Sequence, residues 1–204
     1  MIMDQLPPAE LARLCQRTLP DDTRAFEALV ARYKKNVFAT AYRILGNRPD
    51  AEDVAQESFL KIYKGIRDLA EPATLTTWIY RITTRTCFDF IESKKRRSGT
   101  VSLESGGEGE SEPAAYTDKS TPTPEDAALR HELRKCLEKA LASLDADGRS
   151  VIVLRDLEDR SYQEIAEVLA VGLSAVKMRI HRARLAFQRL LDQVCPGVAR
   201  SSVN

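Results

Sequence analysis

The 204-residue chain is short of several things that define whole classes of protein. It has four cysteines, Cys15, Cys87, Cys136 and Cys195, scattered singly with no C-x-x-C pair, so the spacing suggests neither a disulfide framework nor a zinc ribbon. Reduced thiols in a reducing cytoplasm are the expectation. No stretch approaches the roughly 18 apolar residues that a membrane span requires, and the opening MIMDQLPPAE has neither a basic n-region nor an apolar h-region, which points to a soluble, unexported protein. Net charge is almost absent as well: 31 basic against 30 acidic residues leave +1. With 43% apolar residues, the chain can still build one ordinary core or two small ones, which excludes wholesale disorder.

The near-zero balance hides a strong segregation. Residues 22–97 carry 15 basic and 10 acidic side chains, whereas residues 98–128 carry seven acids against Lys119 alone. The acidic stretch also holds Gly99, Gly106, Gly107, Gly109, Pro113, Pro122 and Pro124 and few large apolar groups, so burial cannot offset the entropy of ordering it. Residues 98–122 therefore read as a flexible acidic linker between two domains, 22–97 and 123–194. Residues 1–21 form an N-terminal extension and 195–204 a C-terminal tail.

Helical spacing runs through both domains and no period-two strand pattern stands out, so the fold class is all-α. Helices are expected near 22–45, 48–64 and 75–95, then near 124–143, 147–157, 161–169 and 174–194. Asn47 before Pro49 and Asp50, Thr123 before Pro124, and the S-x-x-E box of Ser161 and Glu164 mark helix starts, and Ser174 can cap the last helix.

Residues 161–191 have helix-turn-helix spacing, with Gly172 in the turn. In the second helix Val176, Ile180, Ala183 and Phe187 form the inward stripe, and the segment from Gly172 to Arg189 holds five cations and no acid. On the outward arc Lys177, Met178, His181 and Arg182 are placed to reach base edges in a major groove, with Arg179 and Arg184 nearer phosphates.

In the first domain, RPDAEDVAQESFLKIYK puts Ala51, Val54, Ala55, Ser58 and Ile62 on one helical face. The opposite arc mixes Gln56, Glu57, Phe59, Leu60 and Tyr63, a surface able to dock a partner or, in part, to face a neighbouring helix. The next helix carries Trp78, Arg81 and Arg85 on one side and ends in Lys94, Lys95, Arg96 and Arg97. A flat indole stacks on bases and guanidinium groups meet phosphates, which suits single-stranded nucleic acid.

DAEDVAQESFLKIYK and TTWIYRITTRTCFDFIESKKRR, followed across a linker by RSVIVLRDLEDRSYQEIAEVLAVGLSAVKMRIHRAR, resemble the extracytoplasmic-function group of bacterial sigma factors, within the sigma-70 family. The resemblance spans about residues 22–194. It implies a region 2 helical bundle and a region 4 helix-turn-helix, with core RNA polymerase as partner through its β′ clamp coiled coil and β flap. Asp53, Gln56, Glu57 and Leu60 would meet the clamp. The loop from Gly65 to Thr76 and the helix after it, with Leu69, Trp78, Arg81, Thr84, Arg85 and Lys94 to Arg97, would hold the minus-10 element of promoter DNA. Ser174, Lys177, Met178, Arg179, His181, Arg182 and Arg184 would read the minus-35 duplex. An anti-sigma factor is implied as a further partner, and no cofactor, metal, catalysis or membrane insertion. Arg85, Leu69 and Met178 depart from common family choices of Asn, Phe and a small polar residue, which leaves the promoter sequence open.

The linker fits that picture by length. Promoter elements about two duplex turns apart lie on the order of 70 Å from each other. A free coil of this size averages roughly 25 to 30 Å and reaches about 80 to 90 Å extended. Its acidic charge would imitate nucleic acid in a basic channel. A ligand-sensing operator binder remains the alternative reading of a helix-turn-helix with a second domain. An enzyme does not: the G-G-x-G stretch at Gly106 follows no strand, and His131 and Cys136 form no nucleophile pair.

Overall fold

The computed structural model describes residues 3–98 and 124–196, so the linker expected at 98–122, apart from Ser98, as well as Thr123 and most of the C-terminal tail lie outside the described residues. Among the described residues eight α-helices carry the fold, with short 3₁₀ turns and one π turn between them and no strand. The first body contains α1 (Pro8–Thr18), α2 (Arg24–Leu45), α3 (Arg48–Gly65) and α4 (Leu75–Ser98), and the second contains α5 (Pro124–Ala142), α6 (Ala146–Ile152), α7 (Tyr162–Leu169) and α8 (Leu173–Val194).

Local chemistry sets the boundaries. Gly46 ends α2 in a left-handed conformation (φ 71°) that a β-carbon would strain, and Asn47 Oδ1 at once accepts from the Asp50 amide at 3.0 Å to start α3. Ser161 and Glu164 form the complete capping box of α7. The start of α8 differs from expectation. Its N-cap is Gly172, without a side-chain bond, and Ser174 lies inside the helix with an exposed side chain. The stretch expected as one helix over 147–157 changes after Ile152 into a π turn, Val153–Leu157.

The N-terminal extension forms a helix, α1, where none is expected from the sequence. Leu11, Ala12 and Cys15 of α1 are fully buried against Leu29, Ile62, Ile66, Leu75 and Ile79. Gln16 Nε2 fastens it further, donating to the carbonyls of Ile66 at 3.2 Å and Leu69 at 2.8 Å.

A second difference concerns how the bodies sit. Length and charge suggest two bodies held apart; the structure packs them on each other through one apolar cluster. Ala41, Ile44, Tyr80 and Cys87 of the first body meet Leu141, Leu144, Val151, Leu154, Ile165 and Val168 of the second. Polar contacts frame this cluster. Glu158, its side chain 7% exposed, accepts from Arg43 at 2.7 Å, Tyr80 at 2.6 Å and Thr40 at 3.4 Å. Arg149 Nη1 donates to the Ile44 carbonyl at 2.8 Å, Thr77 Oγ1 to Glu164 at 3.3 Å, and the Arg160 guanidinium lies 4.9 Å from the Tyr80 ring centroid.

The cysteine expectation also needs correction. Cys136 and Cys195 are joined as a disulfide, because α5 and the end of α8 run side by side and bring two residues 59 positions apart to a Cα separation of 6.0 Å.

Candidate polymerase and nucleic-acid interfaces

Three surfaces carry the candidate residues. On α3, Ala51, Val54, Ala55, Ser58 and Ile62 are buried, which forces the opposite arc outward. Asp53, Gln56, Glu57 and Leu60 are all exposed there, and Leu60 stands 61% exposed despite its apolar side chain. Such a residue among acids has no folding reason to face water. Glu57 pairs with Lys61 at 3.0 Å, and Lys61 also reaches Asp89 at 3.5 Å. Phe59 and Tyr63 do not share this surface: both pack against the first core, Tyr63 edge-on to Phe26 at 5.1 Å.

The second surface surrounds the loop before α4. A cavity of about 430 Å³ is lined by Asp68, Leu69, Glu71, Thr74, Thr77, Trp78 and Arg81, with Glu167 of α7 completing its wall. That volume lies within the roughly 300–1,000 Å³ range of small-ligand clefts. Gly65 makes room for the indole: a β-carbon there would come within 3.2 Å of Trp78 Cζ2. Arg81 and Arg85 are exposed on α4, four residues apart. Leu69 lines the cavity yet is only 8% exposed, because its side chain belongs to the first core. Thr84 lies elsewhere. It follows Tyr80 and precedes Cys87 on the α4 face that meets the second body, is 1% exposed, and its Oγ1 has no partner. With the bodies packed in this way its hydroxyl is closed to a ligand. Lys94, Lys95, Arg96 and Arg97 are exposed at the end of α4, where Lys94 pairs with Asp50 at 2.8 Å and Arg97 donates to Ser93 at 2.9 Å. Cations there also complement the helix dipole.

The third surface is the first half of α8. Val176, Ile180 and Ala183 are buried, leaving Ser174, Lys177, Met178, His181, Arg182 and Arg184 exposed and Arg179 half-buried. No acid occupies the first turn of α8, so its amides and the cations present one sign of potential. Arg184 is engaged by Asp156 of the π turn, its Nε donating to Oδ2 at 3.2 Å, and that pairing holds its guanidinium more strongly protonated. Sequence spacing did not identify Arg155, Ser161, Gln163 and Leu173, which with Tyr162 and Lys177 line a cleft of about 370 Å³ beside the helix-turn-helix. Only the three-dimensional turn brings them together.

Among the described residues no cluster of His, Cys, Asp or Glu could hold a metal ion, and no helix is long and apolar enough to cross a membrane.

The two bodies correspond to two known protein families. Residues 29–97 match Sigma-70 region 2, and residues 134–187 match Sigma-70, region 4. The ECF RNA polymerase sigma factor SigW of Bacillus subtilis is 35% identical over 170 residues, covering 83% of this chain and 90% of the relative. The ECF RNA polymerase sigma-E factor of Escherichia coli is 32% identical over 187 residues, covering 92% and 95%. Against the ECF sigma factor SigE of Mycolicibacterium smegmatis, 33% identical over 178 residues, the match takes in 87% of this chain but 66% of the longer relative. Among solved structures, CnrH in complex with the cytosolic domain of CnrY superposes with a TM-score of 0.62 at 27% identity, over 91% of this chain and 97% of that one. The sigma factor RpoE of Bartonella quintana, in complex with the anti-sigma factor NepR, shares the fold with a TM-score of 0.61 at 20% identity, over 82% and 96%. Both regions, in order on one all-helical chain, place this protein in the sigma-70 family, within its extracytoplasmic-function group.

Proposed function

We propose that the chain works in the cytoplasm as an alternative sigma factor, binding core RNA polymerase and directing it to the promoters of a stress- or envelope-responsive set of genes. It is an initiation factor and not an enzyme. Residues 22–97 would act as the region 2 domain and 123–194 as the region 4 domain, with 98–122 threaded through the polymerase between them.

The observation that carries this reading is the pairing of an exposed mixed arc on α3 with an acid-free first half of α8. Asp53, Gln56, Glu57 and Leu60 supply an apolar anchor ringed by polar groups, the composition of a docking patch for the β′ clamp coiled coil. Trp78, Arg81 and Arg85, beside a cavity that includes Leu69, supply stacking and cationic groups for a base extruded from the minus-10 element. Unstacking costs a few kcal/mol, so melting follows only where such contacts offset it. Lys94 to Arg97 would meet phosphates. Thr84 could join them only after the second body moves away. Lys177, Met178, His181 and Arg182 would enter the minus-35 major groove, with Ser174, Arg179 and Arg184 at phosphates.

The packed arrangement keeps the bodies in contact, whereas elements on the order of 70 Å apart demand separation. Opening is therefore a step of the proposed cycle. CnrH and RpoE were each captured with a partner, the cytosolic domain of CnrY and the anti-sigma factor NepR. An anti-sigma factor that favours the packed form would hold this chain inactive.

A gel shift on a promoter library, with and without core polymerase, tests the reading. Stable, specific complexes only when core is present support it. Tight operator-like binding to duplex DNA without core would favour a ligand-controlled regulator instead.

A further inference from the structure

The four cysteines fall into two kinds. Cys15 and Cys87 are wholly buried, and burial pushes their thiols up to about 11 and about 12, which leaves them protonated and unreactive. Cys136 and Cys195 are bonded to each other. Cys136 lies within α5 and is half-buried; Cys195 is the C-cap of α8 and is itself only 7% exposed, so Cys136 is the more accessible of the two sulfurs. The bond thus closes a loop that contains α6, α7 and α8, the whole helix-turn-helix.

What the bond holds follows from how α5 is packed. At its C-terminal end Ala140 and Leu141 are buried, and Arg149 Nη2 donates to the carbonyls of Ala142 and Leu144, the latter at 2.9 Å. Further toward the N-terminus the helix is poorly covered. Leu129 is 64% exposed, Leu133 36% and Leu137 39%. Apolar burial therefore contributes little there, and a segment with few buried contacts opens locally at low free energy. The sulfur bridge is the covalent tie that fixes this stretch along the last turn of α8.

We propose that Cys136 and Cys195 form a reversible thiol–disulfide clamp, which pins the middle of α5, next to its poorly covered N-terminal stretch, to the end of the minus-35 helix when oxidised and releases it when reduced. Its biological consequence rests on the sigma-factor reading above, since a cytosolic glutathione pool keeps ordinary thiols reduced and a peroxide pulse would close the clamp.

The chemistry balances with a peroxide as oxidant. One thiolate attacks a peroxide oxygen, the O–O bond breaks, and a sulfenic acid and hydroxide result, the hydroxide becoming water with the proton the thiol gave up on ionising. The second thiolate attacks the sulfenic sulfur, the S–O bond breaks, and hydroxide leaves as water after taking a proton. Two thiols and one hydrogen peroxide yield the disulfide and two waters. A dithiol reductant returns two electrons and two protons, becoming a disulfide itself.

The test uses the full chain, oxidised with hydrogen peroxide or reduced with dithiothreitol, and follows amide hydrogen exchange over residues 124–137 by mass spectrometry. Exchange on the order of tenfold slower in the oxidised chain is expected, together with a linked Cys136–Cys195 peptide that reduction removes. Cys195→Ser and Cys136→Ser should each show the fast rate under both conditions, with unchanged helicity. Oxidation that yields no linked peptide, or a linked peptide with unaltered exchange, overturns the clamp. Run-off transcription with core polymerase separates the two proposals: silence in both redox states counts against the sigma-factor reading, while the exchange rates alone decide the clamp.

Discussion

The Tyr80 hydroxyl donates to Glu158 Oε2 at 2.6 Å, although 78 positions separate the two residues and each belongs to a different body. Burial, and then this bond to a carboxylate, pushes the Tyr80 phenol up to about 12, so it remains a donor at any physiological pH. Glu158 also pairs with Arg43, whose side chain is 34% exposed. Removing one member of a fully buried pair costs about 3–5 kcal/mol; solvent at Arg43 screens the pair and lowers the expected cost to about 1–2 kcal/mol. Glu158→Ala should therefore loosen the contact between bodies while leaving each folded. Small-angle scattering should show a larger radius of gyration with unchanged circular dichroism. An identical scattering curve would mean that the apolar cluster alone holds the bodies together.

The α3 surface gives a second expectation. Leu60 makes little contribution to the fold at 61% exposure, so Leu60→Ala should leave thermal stability unchanged. If it anchors the polymerase clamp, truncation costs about 1–2 kcal/mol of binding, a loss of roughly five- to thirtyfold in affinity. Combining it with Glu57→Lys should deepen the loss. Fluorescence anisotropy with labelled chain and purified core reads this directly, and full affinity in the double variant would move the docking site elsewhere.

Salt dependence tests the third surface. Lys177 and Arg182 are exposed on α8 without an acid in the first turn to neutralise them. Replacing a phosphate-contacting cation should reduce the slope of log affinity against log salt by about 1, whereas replacing a base-contacting one should relax specificity at one promoter position. Lys177→Ala and Arg182→Ala in the holoenzyme, measured across a salt series on minus-35 variants, should each show one signature or the other. Variants with neither would leave the acid-free arc a solvated face.

The capping box of α7 carries a pH dependence whose sign can be stated. Burial pushes the Glu164 carboxyl up, but the Ser161 bonds, Arg160 and Thr77 outweigh it and hold the group below the usual glutamate range. A depressed value in the folded chain means stability that is present above the ordinary glutamate pKa and lost as pH falls through the folded one. Ser161→Ala removes the cap, at a cost of about 1 kcal/mol, and should lower the melting temperature by about 2–4 °C. Glu164→Ala should also flatten the acid limb of melting temperature against pH. An acid limb as steep as the parent's would assign it to other carboxylates.

Much of this molecule is legible in its sequence because local chemistry decides it. Asn47 and Ser161 cap where spacing says they should, and the exposed faces of α3 and α8 follow from the positions of Val54, Ile62, Val176 and Ile180. Even α1 left a signal: Pro8 opens the helix, and Leu11 and Cys15 share a face four residues apart. What spacing does not show is pairing across the chain. Glu158 has the pattern of a surface acid until Arg43 and Tyr80 close over it. Thr84 has the pattern of an accessible helix residue until the second body covers its face. Cys136 and Cys195 stand alone in sequence because the contact joining them runs between the first and last helices of one body, adjacent in space but far apart along the chain. Each requires a partner that no local period encodes.

Purified bacterial core polymerase, which initiates without start-site selection, should produce run-off transcripts of discrete length from a subset of a promoter library once the full chain is added. Loss of those transcripts with Leu60→Ala and Glu57→Lys combined would tie selection to the α3 surface. Failure to select a start site on any template, with tight binding of unmelted DNA by the chain alone, would contradict the account.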